Sequence, residues 1–455
     1  MKKSTLLIAA VLSAAAVHAD EGMWTLYDLP QAVYNQMQGY GFSVPYDGLY
    51  AGPDAIKNVV LNFGGFCSGV VVSPDGLVFT NHHCGFGAIN AHSTVEHDYM
   101  KNGFFAKTYA DELPNEDLFV SFMVEQKDVT DRLSQMGIYD MKPSRQADFV
   151  DSLENAWSKE VKQKDSTLRL EIKPFYEGNK YYATTYRDFR DVRLVFTVPK
   201  SMGKFGGETD NWMWPRQTCD FSVFRIYADP KTNGPAEYSK DNVPYHPASW
   251  APVSLDGYKE GDFSMTIGYP GSTSRYLSSY GIRERRDARN APRAQVRGVK
   301  QEVMMRHMRQ SDAVRIKYET AYASSSNYWK NSIGMNKGLA NLKVIDRKRE
   351  EEAAFAAWVA QDAKRKEVYG DVLNLLEKGY TSSSEYKKIS TYLGEAFLSG
   401  AEIVKLARMI QSVDVKGSTP EEIDIFLEDN IKSFFKDYDA SRDRNLLAQP
   451  GCAGL

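Results

Sequence analysis

A chain of 455 residues is long enough for two or three domains with a sizeable core. Charged residues make up 25% and hydrophobic ones 42%, as in soluble globular proteins, and a net charge of −3 excludes bulk attraction to nucleic acid. Four cysteines (67, 84, 219, 452) are too few for a disulfide scaffold, and no apolar run is long enough for stable membrane insertion.

Residues 1–19 read as a signal peptide. Lys2-Lys3 form the positive start, Leu6–Leu12 the apolar core and Ala16–Ala19 the small-residue cleavage site. Its removal takes the net charge from −3 to −5. Export to the periplasm, cell surface or medium is expected, and it permits disulfides. Gln31–Gln38 can form a short helix after Pro30, and Asp47–Asp54 is rich in turn formers.

The stretch Leu61–Gly85 is the densest in signals. Apolar runs at Val59–Phe63, Val70–Val72 and Leu77–Thr80 are separated by Gly64-Gly65 and by Ser73-Pro74-Asp75-Gly76. Pro suits the second turn position and Gly the positive φ of a tight reversal, so these runs read as antiparallel strands. Cys67 precedes the second turn and Cys84 follows the third run, so a hairpin would bring them together and a disulfide is sterically feasible. Among the three pairings four cysteines allow, Cys67–Cys84 is the one expected, with Cys219 and Cys452 left open.

Four of the seven histidines (82, 83, 92, 97) fall between Asn81 and Asp98. A metal site is the sharp alternative, but no H-x-x-x-H or C-x-x-C spacing occurs, and adjacent His82 and His83 would face opposite ways on a strand. No metal and no cofactor is expected. Phe86–His97 reads as helix or loop.

Strands are expected at Leu118–Glu125, Thr167–Tyr176, Tyr181–Tyr186 and Val192–Val198. Between them Phe149, Leu153, Trp157 and Val161 recur every four residues, which predicts a helix over 143–164 packing on the exterior of a β-barrel. A second constellation follows. Asp210-Asn211-Trp212-Met213-Trp214-Pro215-Arg216 is a dense polar and aromatic block, and Asp220–Tyr227 alternates like a strand with Asp220 at its start. An Asp there is ordinarily a turn former. Ser264–Gly271 reads as a strand ending in a Gly/Pro turn.

From about Tyr280 the composition changes. Residues 281–370 hold 20 Lys and Arg against 11 Asp and Glu, and helix formers dominate. Phe355, Trp358 and Val359 sit at i, i+3, i+4, and Val372–Leu376 continues an apolar helix that Thr381–Ser384 is expected to break. Solvated helical faces explain the basic excess without a nucleic-acid partner.

The block CSGVVVSPDGLVFTNHHCG resembles the histidine loop of chymotrypsin-fold serine proteases. More closely, with the mature start DEGMW and the later DNWMWPR…DF, it is similar to the bacterial dipeptidyl peptidase family that contains dipeptidyl peptidases 7 and 11. The resemblance implies an α+β fold, a chymotrypsin-like double β-barrel with a large inserted α-helical domain. Residues 20–279 would be the first part of the peptidase domain and 280–455 the helical domain, both incomplete, including the second barrel. It assigns His83, next to Cys84, as general base, with His82 only its neighbour. Asp220 would orient His83 and stabilise its imidazolium. Asn211 and Trp212 would bind the free N-terminus of a peptide substrate. A homodimer is implied. Gln217 and Cys219 depart from the family's His and Gly.

The family's serine nucleophile lies in a Gly-Asn-Ser-Gly-Ser-Pro-like block that does not occur here, and Gln449–Leu455 reads as an unrelated tail. The expectation is an exported serine-type dipeptidyl aminopeptidase, truncated to about the first two-thirds of the family's length and inactive as it stands. The alternatives are a non-catalytic peptide-binding envelope protein and a trypsin-like endopeptidase.

Overall fold

The computed structural model describes residues 23–448 except 273, 275, 412 and 414–418. The expected signal peptide (1–19) and Cys452 lie outside the described residues. The principal helices are α1 (Gln31–Gly39), α2 (His82–Ala91), α3 (Pro143–Lys164), α4 (Ala291–Met308), α5 (Asp312–Asn341), α6 (Val344–Ala360), α7 (Val372–Leu393), α8 (Glu402–Gln411), α9 (Pro420–Asp437) and α10 (Ala440–Leu447). The strands are β1 (Val60–Phe63), β2 (Cys67–Val71), β3 (Leu77–Thr80), β4 (Phe104–Phe105), β5 (Leu113–Pro114), β6 (Val120–Asp128), β7 (Leu168–Phe175), β8 (Lys180–Phe189), β9 (Val192–Thr197), β10 (Ser222–Ala228) and β11 (Val243–Pro244). The chain is thus α+β, as expected.

Two compact units divide it. The first draws on residues 23–61, 122–187 and 248–267. Here α3 starts on Pro143, whose missing N–H costs nothing at the first helical position. Its buried Val150 and Trp157 pack with Leu170, Ile172, Tyr181 and Ala183 of the antiparallel pair β7–β8. Arg132 lies over the Trp157 ring, 3.9 Å from its centroid. A smaller cluster of Leu29, Tyr34, Phe42 and Leu49 seats α1.

The second unit draws on residues 62–121, 188–247 and 268–448. Its strands pair in the order β4-β9-β10-β3-β2, with β5 also on β9 and β11 also on β10. This path does not return on itself, so the sheet is open among the described residues. The middle strand β10 is buried along nearly its whole length, which is why Ser222–Ala228 is so apolar.

A long succession of helices starts at Ser279 in the same unit. Helices α4 and α5 run against each other, with Asn290 bonded to Asn336 (2.8 Å) and Arg297 to the Ser325 carbonyl (3.2 Å). Helix α5 also reaches α2 and the segments that flank the sheet. Asn90 of α2 donates to the Ile316 carbonyl at 3.1 Å, Arg315 pairs with Asp98, and Glu319 pairs with Lys200.

Two expectations change. Ser264–Gly271 forms no strand; Tyr269 N–H donates to the side chain of Ser68, Oγ, at 2.6 Å. Thr381–Ser384 does not break α7. Ser382 and Ser383 donate to the Gly379 carbonyl at 3.2 and 2.9 Å, so their hydroxyls are satisfied inside the helix.

Candidate active site

The register of two strands creates the site. β10 pairs antiparallel with β3, Ser222 opposite Thr80. The residues just after Thr80 therefore meet those just before Ser222. Helix α2 starts at His82, four residues earlier than the sequence indicated, so the two histidines open a helix and do not lie on a strand. Gly85, one turn in, lies so close to β10 that a Cβ there would be 2.6 Å from Ser222 Oγ.

This junction brings His83 onto Asp220. The ring Nδ1–H donates to Asp220 Oδ2 at 2.7 Å and the backbone N–H donates to Oδ1 at 3.0 Å. Asn81 Nδ2 donates to the Asp220 carbonyl at 3.1 Å and to Oδ2 at 3.3 Å. The Asp220 side chain is 12% exposed and that of His83 61%. Burial pushes the Asp220 carboxyl upward. The His83 hydrogen bond and charge, its backbone N–H, and Arg216 outweigh this and hold it below the ordinary carboxylate range. A carboxylate on Nδ1 leaves Nε2 as the free nitrogen of the neutral ring, directed away from its partner.

The disulfide between Cys67 and Cys84 is present and ties β2 to the first turn of α2 beside His83. Cys67, His83 and Cys84 lie within 4.8 Å of one another, but the two sulfurs are bonded to each other and offer no thiolates to a cation. Cys219 is a free thiol.

Asn211 and Trp212 lie on the loop between β9 and β10. That loop is closed at its base, where Cys219 N–H donates to the Met202 carbonyl at 3.3 Å and Thr218 Oγ1 to the Gly203 carbonyl at 2.6 Å. At its tip both residues meet α5 through Asn327. Trp212 Nε1–H donates to Asn327 Oδ1 at 2.8 Å and Asn211 Nδ2 at 3.4 Å. Asn211 is buried and also contacts Glu208 Oε2 at 3.4 Å. Burial raises the Glu208 carboxyl, but Lys204, Ser326 and Asn211 lower it further, so it stays an anion. Gly334 makes room: a Cβ there would be 2.4 Å from the Trp212 carbonyl. Trp214 is 95% exposed beside this block.

The structure thus joins His83 to Asp220 and Asn211 to Trp212, with one loop carrying Asn211, Trp212 and Asp220. Sequence reading missed Asn327, Glu208 and Asn81. Nothing local marks Asn327 within a long polar helix face. Asn81, two residues from His83, was the findable one. Among the described residues no serine hydroxyl is bonded to His83.

The family model for Peptidase S46 matches residues 19–449, and the chain belongs to that family. It is similar to dipeptidyl-peptidase 7 of Porphyromonas gingivalis, 47% identical over 98% of this chain and 62% of that protein. It is also similar to the Asp/Glu-specific dipeptidyl-peptidase of Flavobacterium psychrophilum, 38% identical over 94% of this chain and 60% of that protein. A crystal structure of Porphyromonas endodontalis DPP11 in complex with the dipeptide Arg-Glu superposes with a TM-score of 0.84 at 34% identity, covering 96% of this chain and 64% of that one. The chain therefore spans about three-fifths of the length of these relatives.

Proposed function

We propose that this chain carries the base half of an exported serine-type dipeptidyl aminopeptidase. The observation that supports it most is the His83–Asp220 pair, with the carboxylate on Nδ1 by a 2.7 Å bond and Nε2 free to take a proton from a serine hydroxyl. Asp220 fixes the tautomer and stabilises the imidazolium. Asn211, Trp212, Asn327 and the Glu208 anion form a polar group suited to an α-ammonium. Anchoring the N-terminus stops the substrate after two residues, so that the site would release dipeptides from the N-terminus of longer peptides. The names of the relatives and the dipeptide held by the related DPP11 support the same substrate class. The disulfide and the leader-like residues 1–19 support export, because such bonds persist outside the reducing cytosol.

Because no serine hydroxyl meets His83 among the described residues, these 455 residues by themselves should bind peptides and not cleave them. That same observation favours the second reading, a non-catalytic peptide-binding protein built on a peptidase. The division at 279/280 and the homodimer belong to this proposal as well; light scattering on the purified chain tests the latter.

The deciding experiment titrates the chain with a fluorescent peptide bearing a free N-terminus and with its N-acetylated form, then assays a dipeptidyl reporter. Binding of the free form only, abolished in Asn211→Ala, is expected. Equal binding of both forms would sink the N-terminus site. Reporter turnover lost in His83→Ala would show that the nucleophile is already within this chain.

A further inference from the structure

His82 is more than a neighbour of His83. It opens α2 and is only 1% exposed. One face of the ring lies against the Gly203 backbone, so close that a Cβ on Gly203 would sit 2.6 Å from Cγ and 2.7 Å from Cδ2. Phe86, one helical turn on, meets the ring edge-on at 5.9 Å. The ring's Nε2 is buried without a partner. Gly203 belongs to the base of the loop: its carbonyl accepts from Thr218 Oγ1, and the adjacent Met202 carbonyl accepts from Cys219 N–H. Asp220 is the next residue.

We infer that His82 is a positioning residue for the His83–Asp220 pair. Wedged between Phe86 and Gly203, it registers the start of α2 against the loop base, so that the carboxylate arrives at Nδ1 of the following histidine. The rationale is geometric. Asp220 is held on one side by the His83 N–H and Asn81 of the α2 start, and on the other by a chain segment whose bonds run to Met202 and Gly203. The two sides meet at one ring. Only Gly at 203 permits that contact, since any Cβ would displace the ring or the loop. A neutral ring suits the place, and burial, with His83 and Lys200 adding to it against Asp220, keeps it uncharged.

This inference deepens the proposed peptidase reading and rests on it for the roles of His83 and Asp220, but its test does not need turnover. The readout is the His83 side chain in histidine-labelled full-length protein: its tautomer from nitrogen chemical shifts and the solvent exchange of its Nδ1–H. In His82→Ala and Gly203→Ala we expect loss of the Nδ1–H tautomer or at least tenfold faster Nδ1–H exchange, and rescue in His82→Phe, which refills the wedge. Trp157→Ala, which weakens the other unit, should leave the His83 signals unchanged. Native His83 signals in both His82→Ala and Gly203→Ala would overturn the inference. So would an equal loss in Trp157→Ala, because the effect would then be general destabilisation. If His82→Ala does not fold, Gly203→Ala decides. Failure of the free peptide to bind the unmodified chain would instead sink the substrate reading and leave the positioning result standing.

Discussion

At the residue scale the site rests on one hydrogen bond. Replacing Asp220 with Ala removes the acceptor of the His83 Nδ1–H and of its backbone N–H. The expected outcome is a shift of the neutral ring toward the Nε2–H tautomer, read from imidazole nitrogen shifts; an unchanged tautomer would mean that Asp220 does not orient the ring. His82 gives a pH signature. Burial holds its pKa at about 4 against an ordinary 6.5, with Asp220 opposing and His83 and Lys200 reinforcing the shift. The folded-state pKa is lower than the unfolded one, so between these limits the unfolded chain takes up a proton that the folded chain refuses. Stability is thus full above the unfolded value and declines as pH falls through the window, by on the order of 3 kcal/mol for this group. Urea unfolding at about pH 7.5 and about pH 4.5 measures it. The decline should be smaller by that amount in His82→Phe, since other groups titrate alike in both proteins.

At the element scale, α3 shows how a helix is read and then fixed. Its stripe of Phe149, Leu153, Trp157 and Val161 was legible because nothing competes with a four-residue period. Its stability comes from Trp157, which is 7% exposed and stacked under Arg132. Trp157→Ala should cost about 3–5 kcal/mol through the cavity it leaves, seen as a lower urea midpoint with the site signals intact. Helix α7 shows the limit of local reading. A Thr-Ser-Ser-Ser run reads as a breaker, but the Ser382 and Ser383 hydroxyls find a carbonyl of the same helix, and Ser383 also meets Glu284 at 3.2 Å. The run at Ser264–Gly271 fails for the opposite reason: strand-like residues make a strand only where a ladder partner exists.

At the scale of the whole molecule, the Cys67–Cys84 bridge links the hairpin to the helix that carries His83, closing a sequence separation of 17 residues. Chain-entropy arguments put its contribution at about 3 kcal/mol. Reductant should lower the denaturation midpoint accordingly and leave a Cys67→Ala, Cys84→Ala double variant unmoved; no difference between reduced and oxidised protein would count against a stabilising role.

The sequence alone determined what depends on short range. Turn chemistry defined the hairpin, spacing defined α3, and the motif around Cys84 marked His83 by its resemblance to known peptidases. Asp220 and Asn211 also stood out through that resemblance, since an Asp before a strand carries no chemistry by itself. Only the tertiary structure decided what lies across long separations. The pairing of Ser222 with Thr80 delivers Asp220 to His83 over 137 positions, and α5 delivers Asn327 to Trp212 over 115. The reason is physical: strand register and helix packing are set by burial summed over whole elements, and no local pattern encodes which distant side chain that sum brings into contact.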